Sequence, residues 1–143
     1  MKTILVLDDD SAIAGLIRML AERNGYAVLD SASPAQALER FEENDGQVDL
    51  LIADVVLKNG SGLDVAMELR SLVPYLKIIV MSGFPPEMWN DEDGAEILES
   101  PSASVSILQK PFSPLALMDQ IHLLIGKPVI AAPAPAFPDK AVA

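Results

Sequence analysis

Asp54 sits inside LLIADVVL (residues 50–57), a run otherwise made of Leu, Ile, Ala and Val. An ionised carboxylate is costly in such surroundings unless it reaches a polar edge or meets a cation. Asp8, Asp9 and Asp10 directly follow the apolar run TILVL (3–7), Ser82 follows KIIVM (77–81), and Lys110 comes shortly after SVSIL (104–108). Each polar group stands where a short apolar run gives out. Brought together, they would place three or four carboxylates, one hydroxyl and one ammonium at a single rim. Two carboxylates about 5 Å apart repel by roughly 3 kcal/mol at an effective dielectric of about 20, and a hard divalent cation such as Mg2+ removes that repulsion. The chain has one histidine and no cysteine, so the nitrogen and sulfur ligands that zinc prefers are not supplied. An oxygen-ligated cation beside an aspartate, with a lysine and a hydroxyl at hand, is apparatus for phosphoryl transfer. Asp54 would be the nucleophile and an aspartyl phosphate the product.

The elements that must position these groups can be read from the pattern. Strands are predicted at 3–7, 26–30, 48–53, 77–81 and 104–108, and the third is apolar from Leu50 to Ala53, as suits a strand buried on both faces. Helices are predicted between them. The first carries Ile13, Leu16, Ile17 and Leu20 and stops at Asn24-Gly25. The second starts from Ser33-Pro34, an N-cap and a first helical position, and carries Ala37, Leu38 and Phe41. A third, over 63–73, ends before Pro74; a last one runs from Ser113-Pro114 to about Gly126. Residues 84–103 are the least regular, with one helix expected around Asp91–Leu98. Strands alternating with helices imply βαβ units, a parallel sheet and helices on both faces. Right-handed crossovers then bring every strand's carboxyl end to one edge.

Composition narrows the class. The 143 residues suffice for one domain, and half of them are apolar. With 21 acidic and 10 basic residues the formal charge is −11, which repels nucleic acid and anionic lipid. The lack of cysteine excludes a disulfide scaffold and thiol catalysis. No segment reads as a signal peptide or a membrane span, so a cytoplasmic location is expected. The Pro/Ala-rich stretch 127–143 is expected to be a disordered tail after a domain spanning 1–126.

The pieces LVLDDD, DLLIADVVL, IIVMSGF and LQKPF, in that order over about residues 3–125, resemble a response-regulator receiver domain. The resemblance implies a flavodoxin-like, doubly wound five-stranded parallel sheet of order 2-1-3-4-5. It implies Asp54 as phosphoacceptor, Asp9 as a direct Mg2+ ligand, Asp8 acting through metal-bound water, and the main-chain carbonyl of Val56 as a further ligand. Ser82 matches the switch hydroxyl and Lys110 the lysine that pairs with phosphoryl oxygens. The implied donor is a phospho-histidine on a sensor histidine kinase or a histidine phosphotransfer protein. The chain ends soon after the last helix, leaving no room for an output domain. A single-domain regulator is therefore expected, acting on a downstream protein through the surface of the fourth helix, fifth strand and fifth helix. It would be a signalling switch and not a metabolic enzyme; a role as phosphate sink or phosphorelay member, and a homodimer, are left open.

Three departures from the family pattern stand out. Ile107 occupies the strand-five position that usually carries an aromatic switch residue. Lys58 replaces a common proline four residues after the acceptor. Val56 and Phe84, two positions beyond Asp54 and Ser82, are apolar and cannot orient a water, so slow self-dephosphorylation is expected.

Two rival readings follow from the same residues. LVLDDDS also resembles the nucleophile strand of a haloacid-dehalogenase-like phosphohydrolase, with Asp8 as nucleophile and Asp10 as acid/base. That family needs an acidic pair just beyond the lysine, where only Asp119 occurs, and it leaves Asp54 idle. A phosphate-independent pseudo-receiver would not need the full set Asp8, Asp9, Asp54, Ser82 and Lys110. The last helix has two apolar stripes, Leu117/Ile121/Leu124 and Leu115/Met118/His122/Ile125. One should face the sheet; the second is either covered by the tail or by 84–103, or open to a partner, with Met88 and Trp89 as candidates to join it.

Overall fold

The computed structural model describes residues 1–58, 60–85 and 104–128. Five strands, β1 (Thr3–Leu7), β2 (Ala27–Ser31), β3 (Leu50–Asp54), β4 (Lys77–Ser82) and β5 (Val105–Gln109), form one parallel sheet of order β2-β1-β3-β4-β5. The helices among the described residues are α1 (Ser11–Arg23), α2 (Pro34–Glu43), α3 (Gly62–Leu72) and α4 (Pro114–Ile125). The helix expected around Asp91–Leu98, the residues Met88 and Trp89, and the tail from residue 129 lie outside the described residues.

Side-chain alternation along the strands divides the core in two. Ile4, Val6, Leu50, Ile52, Ile79 and Met81 join Ala14, Ile17 and Ala21 of α1 and Leu117, Ile121 and Leu124 of α4. On the other face Leu5, Leu7, Leu51, Ala53, Ile78 and Val80 join Ala37 and Phe41 of α2 and Leu63, Ala66 and Leu69 of α3. All five residues of β3 are buried, which explains why the four before Asp54 are apolar.

Helix starts follow their polar caps. Asp10 accepts from the N–H groups of Ala12 and Ile13 at the head of α1; Ser33, Ser61 and Ser113 cap α2, α3 and α4 through their hydroxyl oxygens. Each such cap is worth about 1 kcal/mol.

Two expectations need correction. The third strand was expected over 48–53 but runs from Leu50 to Asp54. Val48 is buried, yet its N–H donates to the Gly46 carbonyl within the preceding turn, so the ladder begins two residues later. The second stripe of α4 is also largely core. Met118 and Ile125 are buried in the cluster shared with α1, against which Ile13 and Leu20 also pack, and only Leu115 is well exposed. His122 is half-buried, its ring centroid 6.2 Å from that of Tyr26. The side chain of Gln120 ties α4 to β5, accepting from the Ser106 hydroxyl at 2.6 Å and donating to the Ile107 carbonyl at 3.2 Å. None of the described helices is long and apolar enough to cross a membrane.

Candidate functional site

Sheet register assembles the pocket. Leu7 pairs with Ala53, Asp54 with Met81, and Ser82 with Gln109, so Asp8, Asp54, Ser82 and Lys110 emerge side by side at the carboxyl edge. Asp8, Asp9 and Asp54 each offer a carboxylate oxygen within 4.8 Å of the others. Lys110 Nζ donates to Asp54 Oδ2 at 2.7 Å and to Asp8 Oδ2 at 2.9 Å. Asp54, the misfit of LLIADVVL, is thus the last residue of its strand and meets a cation there.

Each carboxylate is also held by one main-chain N–H. Asp10 donates to Asp8 Oδ1 at 2.9 Å, Val56 to Asp54 Oδ1 at 3.1 Å, and Lys58 to Asp9 Oδ2 at 2.8 Å. Oxygen-only donors in this spacing fit a hard divalent cation such as Mg2+. Ser82 is buried at the end of β4, and its Oγ accepts from the Phe84 N–H at 2.9 Å. The side chains of Val56 and Phe84 are well exposed beside these turns. A cavity of about 260 Å³ opens next to Asp8 and Asp9, lined by Gly15, Asp30, Gln36 and Arg40 among others.

Electrostatics follow the burial. Desolvation pushes the Asp8 carboxyl above its ordinary range, helped by the Asp54 charge; the Asp10 N–H and Lys110 pull the other way without cancelling it. For Lys110 burial opposes the charge, but the bonds to Asp54 and Asp8 outweigh it, and the ammonium is held more firmly protonated than usual.

Sequence reasoning missed the main-chain donors and the role of Gly62. A Cβ at Gly62 would lie 2.1 Å from the Asp54 carbonyl oxygen and 2.9 Å from Ala53 Cβ, so α3 abuts the end of β3 with only a hydrogen atom between. A glycine two positions after the loop's Gly60 was a visible signal, but not what it approaches. Ile107 is half-buried on β5 opposite Val80. Asp10 is committed to capping α1, and Asp54 lies inside the carboxylate group. Neither fits the phosphohydrolase reading, which needs Asp10 as acid/base and leaves Asp54 idle.

Comparison with known proteins agrees with this geometry. The sensor kinase CckA of Brucella abortus (strain 2308) is 33% identical over 126 residues, covering 87% of this chain and 13% of the kinase. The response regulator receiver protein CpdR of the same organism is 28% identical over 125 residues, covering 87% of this chain and 98% of CpdR. The chain thus spans only a small part of some curated relatives and nearly all of others. The crystal structure of the response regulator TrrA from Thermotoga maritima, in complex with Mg(2+)-BeF, superposes with a TM-score of 0.70 at 28% identity, covering 87% of this chain and all of that one. The same regulator in complex with the histidine kinase ThkA gives a TM-score of 0.68 over 87% of this chain and 99% of that one, again at 28% identity. The family model of the response regulator receiver domain matches residues 4–122, and with the sheet order and the edge pocket already in place, this chain belongs to that family.

Proposed function

We propose that the chain is a phosphoryl-accepting switch of a two-component or phosphorelay system, with Asp54 as the acceptor. The observation that carries this reading is the meeting of Asp54 with Asp8, Asp9 and Lys110, from three separate strand ends, in one pocket. The donor is a phospho-histidine on a sensor histidine kinase or a histidine phosphotransfer protein, a reading supported by the kinase complex of TrrA.

In the transfer a carboxylate oxygen of Asp54 attacks phosphorus. The new O–P bond forms as the P–N bond to imidazole breaks, and the ring nitrogen keeps the electron pair and takes a proton from solvent. Asp8, Asp9, Asp54 and the main-chain carbonyl of Val56 would hold Mg2+, which would offset the charge of the carboxylates and of the phosphoryl oxygens. Lys110, firmly protonated, exchanges its bond to Asp54 for one to a phosphoryl oxygen. The Ser82 hydroxyl, which accepts from Phe84 N–H, turns to donate to the same group. These shifts act at the ends of β4 and β5, and a downstream protein reads the surface that includes β5, α4 and the expected fourth helix.

Self-catalysed phosphotransfer and slow autodephosphorylation are the only reactions in this reading. The domain spans 1–126 with a tail from 127, and it works in the cytoplasm. Val56 and Phe84 at the mouth offer no side-chain group to orient a water, which favours a long-lived aspartyl phosphate.

Intact mass after incubation with Mg2+ and acetyl phosphate tests the assignment. Wild type should gain one phosphoryl group and Asp54→Asn none; equal labelling of the two, or none of wild type, counts against it.

A further inference from the structure

The three carboxylates of the pocket are each held by a main-chain N–H, but two of these bonds are local and one is not. Asp8 and Asp54 take theirs from residues two positions on, Asp10 and Val56. Asp9 takes its bond from Lys58, 49 positions away, at 2.8 Å. Lys58 belongs to the β3–α3 loop, which is braced on its own account. Leu57 is buried in the core on the α2–α3 face, and its N–H donates to the Gly60 carbonyl at 3.1 Å. Gly60 has φ of 142°, a conformation that glycine alone adopts readily. The donor is therefore main chain next to a buried residue, not the end of a flexible side chain. It also depends on residue type in one respect: a proline at 58 would have no N–H to give.

Asp9 is the least buried of the three carboxylates, and left alone its side chain would turn freely toward solvent. A carboxylate with one oxygen already bonded spends less conformational freedom on coordinating a cation, and donors behind metal ligands commonly matter for this reason. We propose that the Lys58 main-chain N–H is a positioning donor for the metal. It keeps Asp9 turned into the group with Asp8 and Asp54, raises the affinity for Mg2+, and makes the β3–α3 loop a part of what the cation stabilises. This rests on the reading of the pocket as a Mg2+ site.

Titration calorimetry of the full chain with Mg2+ alone, compared across wild type, Lys58→Ala and Lys58→Pro, separates the donor from the side chain. Lys58→Ala keeps the N–H and should bind within about twofold of wild type, whereas Lys58→Pro should bind about tenfold more weakly. In wild type the Lys58 amide should exchange with solvent more slowly once Mg2+ is added, a readout that decides the matter even if Lys58→Pro fails to fold. Undiminished binding by Lys58→Pro, or a Lys58 amide that exchanges faster with Mg2+, overturns the proposal while the metal site stands. No Mg2+ binding by wild type overturns the metal reading, and this proposal with it.

Discussion

The Lys110 ammonium lies 2.7 Å from Oδ2 of Asp54, although the two residues are 56 positions apart in the chain, and it reaches Asp8 at 2.9 Å with the same nitrogen. One cation thus separates two carboxylates that would otherwise face each other. Removing it should leave buried charge without compensation. Lys110→Met is expected to lose about 2 kcal/mol of stability in chelator, less than for a fully buried pair because the lysine keeps some exposure to solvent. Urea unfolding with and without Mg2+ checks this: the cation should restore most of the loss. The same deficit in both conditions would show that Lys110 is not the charge balance of the pocket.

Asp8 has a raised carboxyl pKa, chiefly from burial and with help from Asp54. A raised folded-state pKa means that the fold favours the protonated form; the associated stability is present below the ordinary aspartate range and lost as pH rises through the raised value. At neutral pH without metal, ionised Asp8 is thus a burden. Asp8→Asn should melt higher than wild type in chelator at pH 7, by roughly 3–5 °C if the gain is about 1 kcal/mol. The gap should narrow as pH falls through the raised pKa. Melting curves at several pH values check the trend, and a gap that widens in acid would contradict it. Mg2+ should stabilise wild type far more than Asp8→Asn.

Gly62→Ala would drive a methyl group into the Asp54 carbonyl oxygen. The neighbour is main chain, not a pliable side chain, so α3 or the end of β3 has to move. A cost of roughly 2–3 kcal/mol is expected, together with slower labelling by acetyl phosphate. Ser61→Ala, which removes only the cap of α3, serves as the comparison: it should cost about 1 kcal/mol and leave the labelling rate much closer to wild type.

Phe84→Ala should shorten the lifetime of the aspartyl phosphate several-fold by admitting water beside Ser82, whose Oγ the Phe84 main chain already bonds. Decay of the labelled species after removal of donor measures it. An unchanged lifetime would show that the ring does not guard the pocket.

Much of this site was legible because side-chain type and strand position coincide. Asp8, Asp54, Ser82 and Lys110 all stand at the ends of apolar runs, and parallel strands put such ends on one edge. The caps at Ser33 and Ser113 were equally readable, since capping depends on a residue and its next three neighbours. What escaped depends on which elements become neighbours. The two stripes of α4 gave no hint that Met118 and Ile125 would be buried in the cluster shared with α1, because adjacency of helices on one sheet face is a property of the whole topology. The Lys58 bond to Asp9 escaped for another reason: every residue except proline carries an N–H, so a main-chain donor leaves almost no mark in the sequence. The close approach at Gly62 is visible only once α3 has a direction relative to β3.

The division of the apolar interior by the sheet has a mechanical consequence. Val6, Ile52 and Met81 lean into one compartment while Leu7, Ala53 and Val80 lean into the other. The strands form a bulkhead between the two. A change of packing in the compartment shared by α1 and α4 reaches the one shared by α2 and α3 chiefly through the strands themselves.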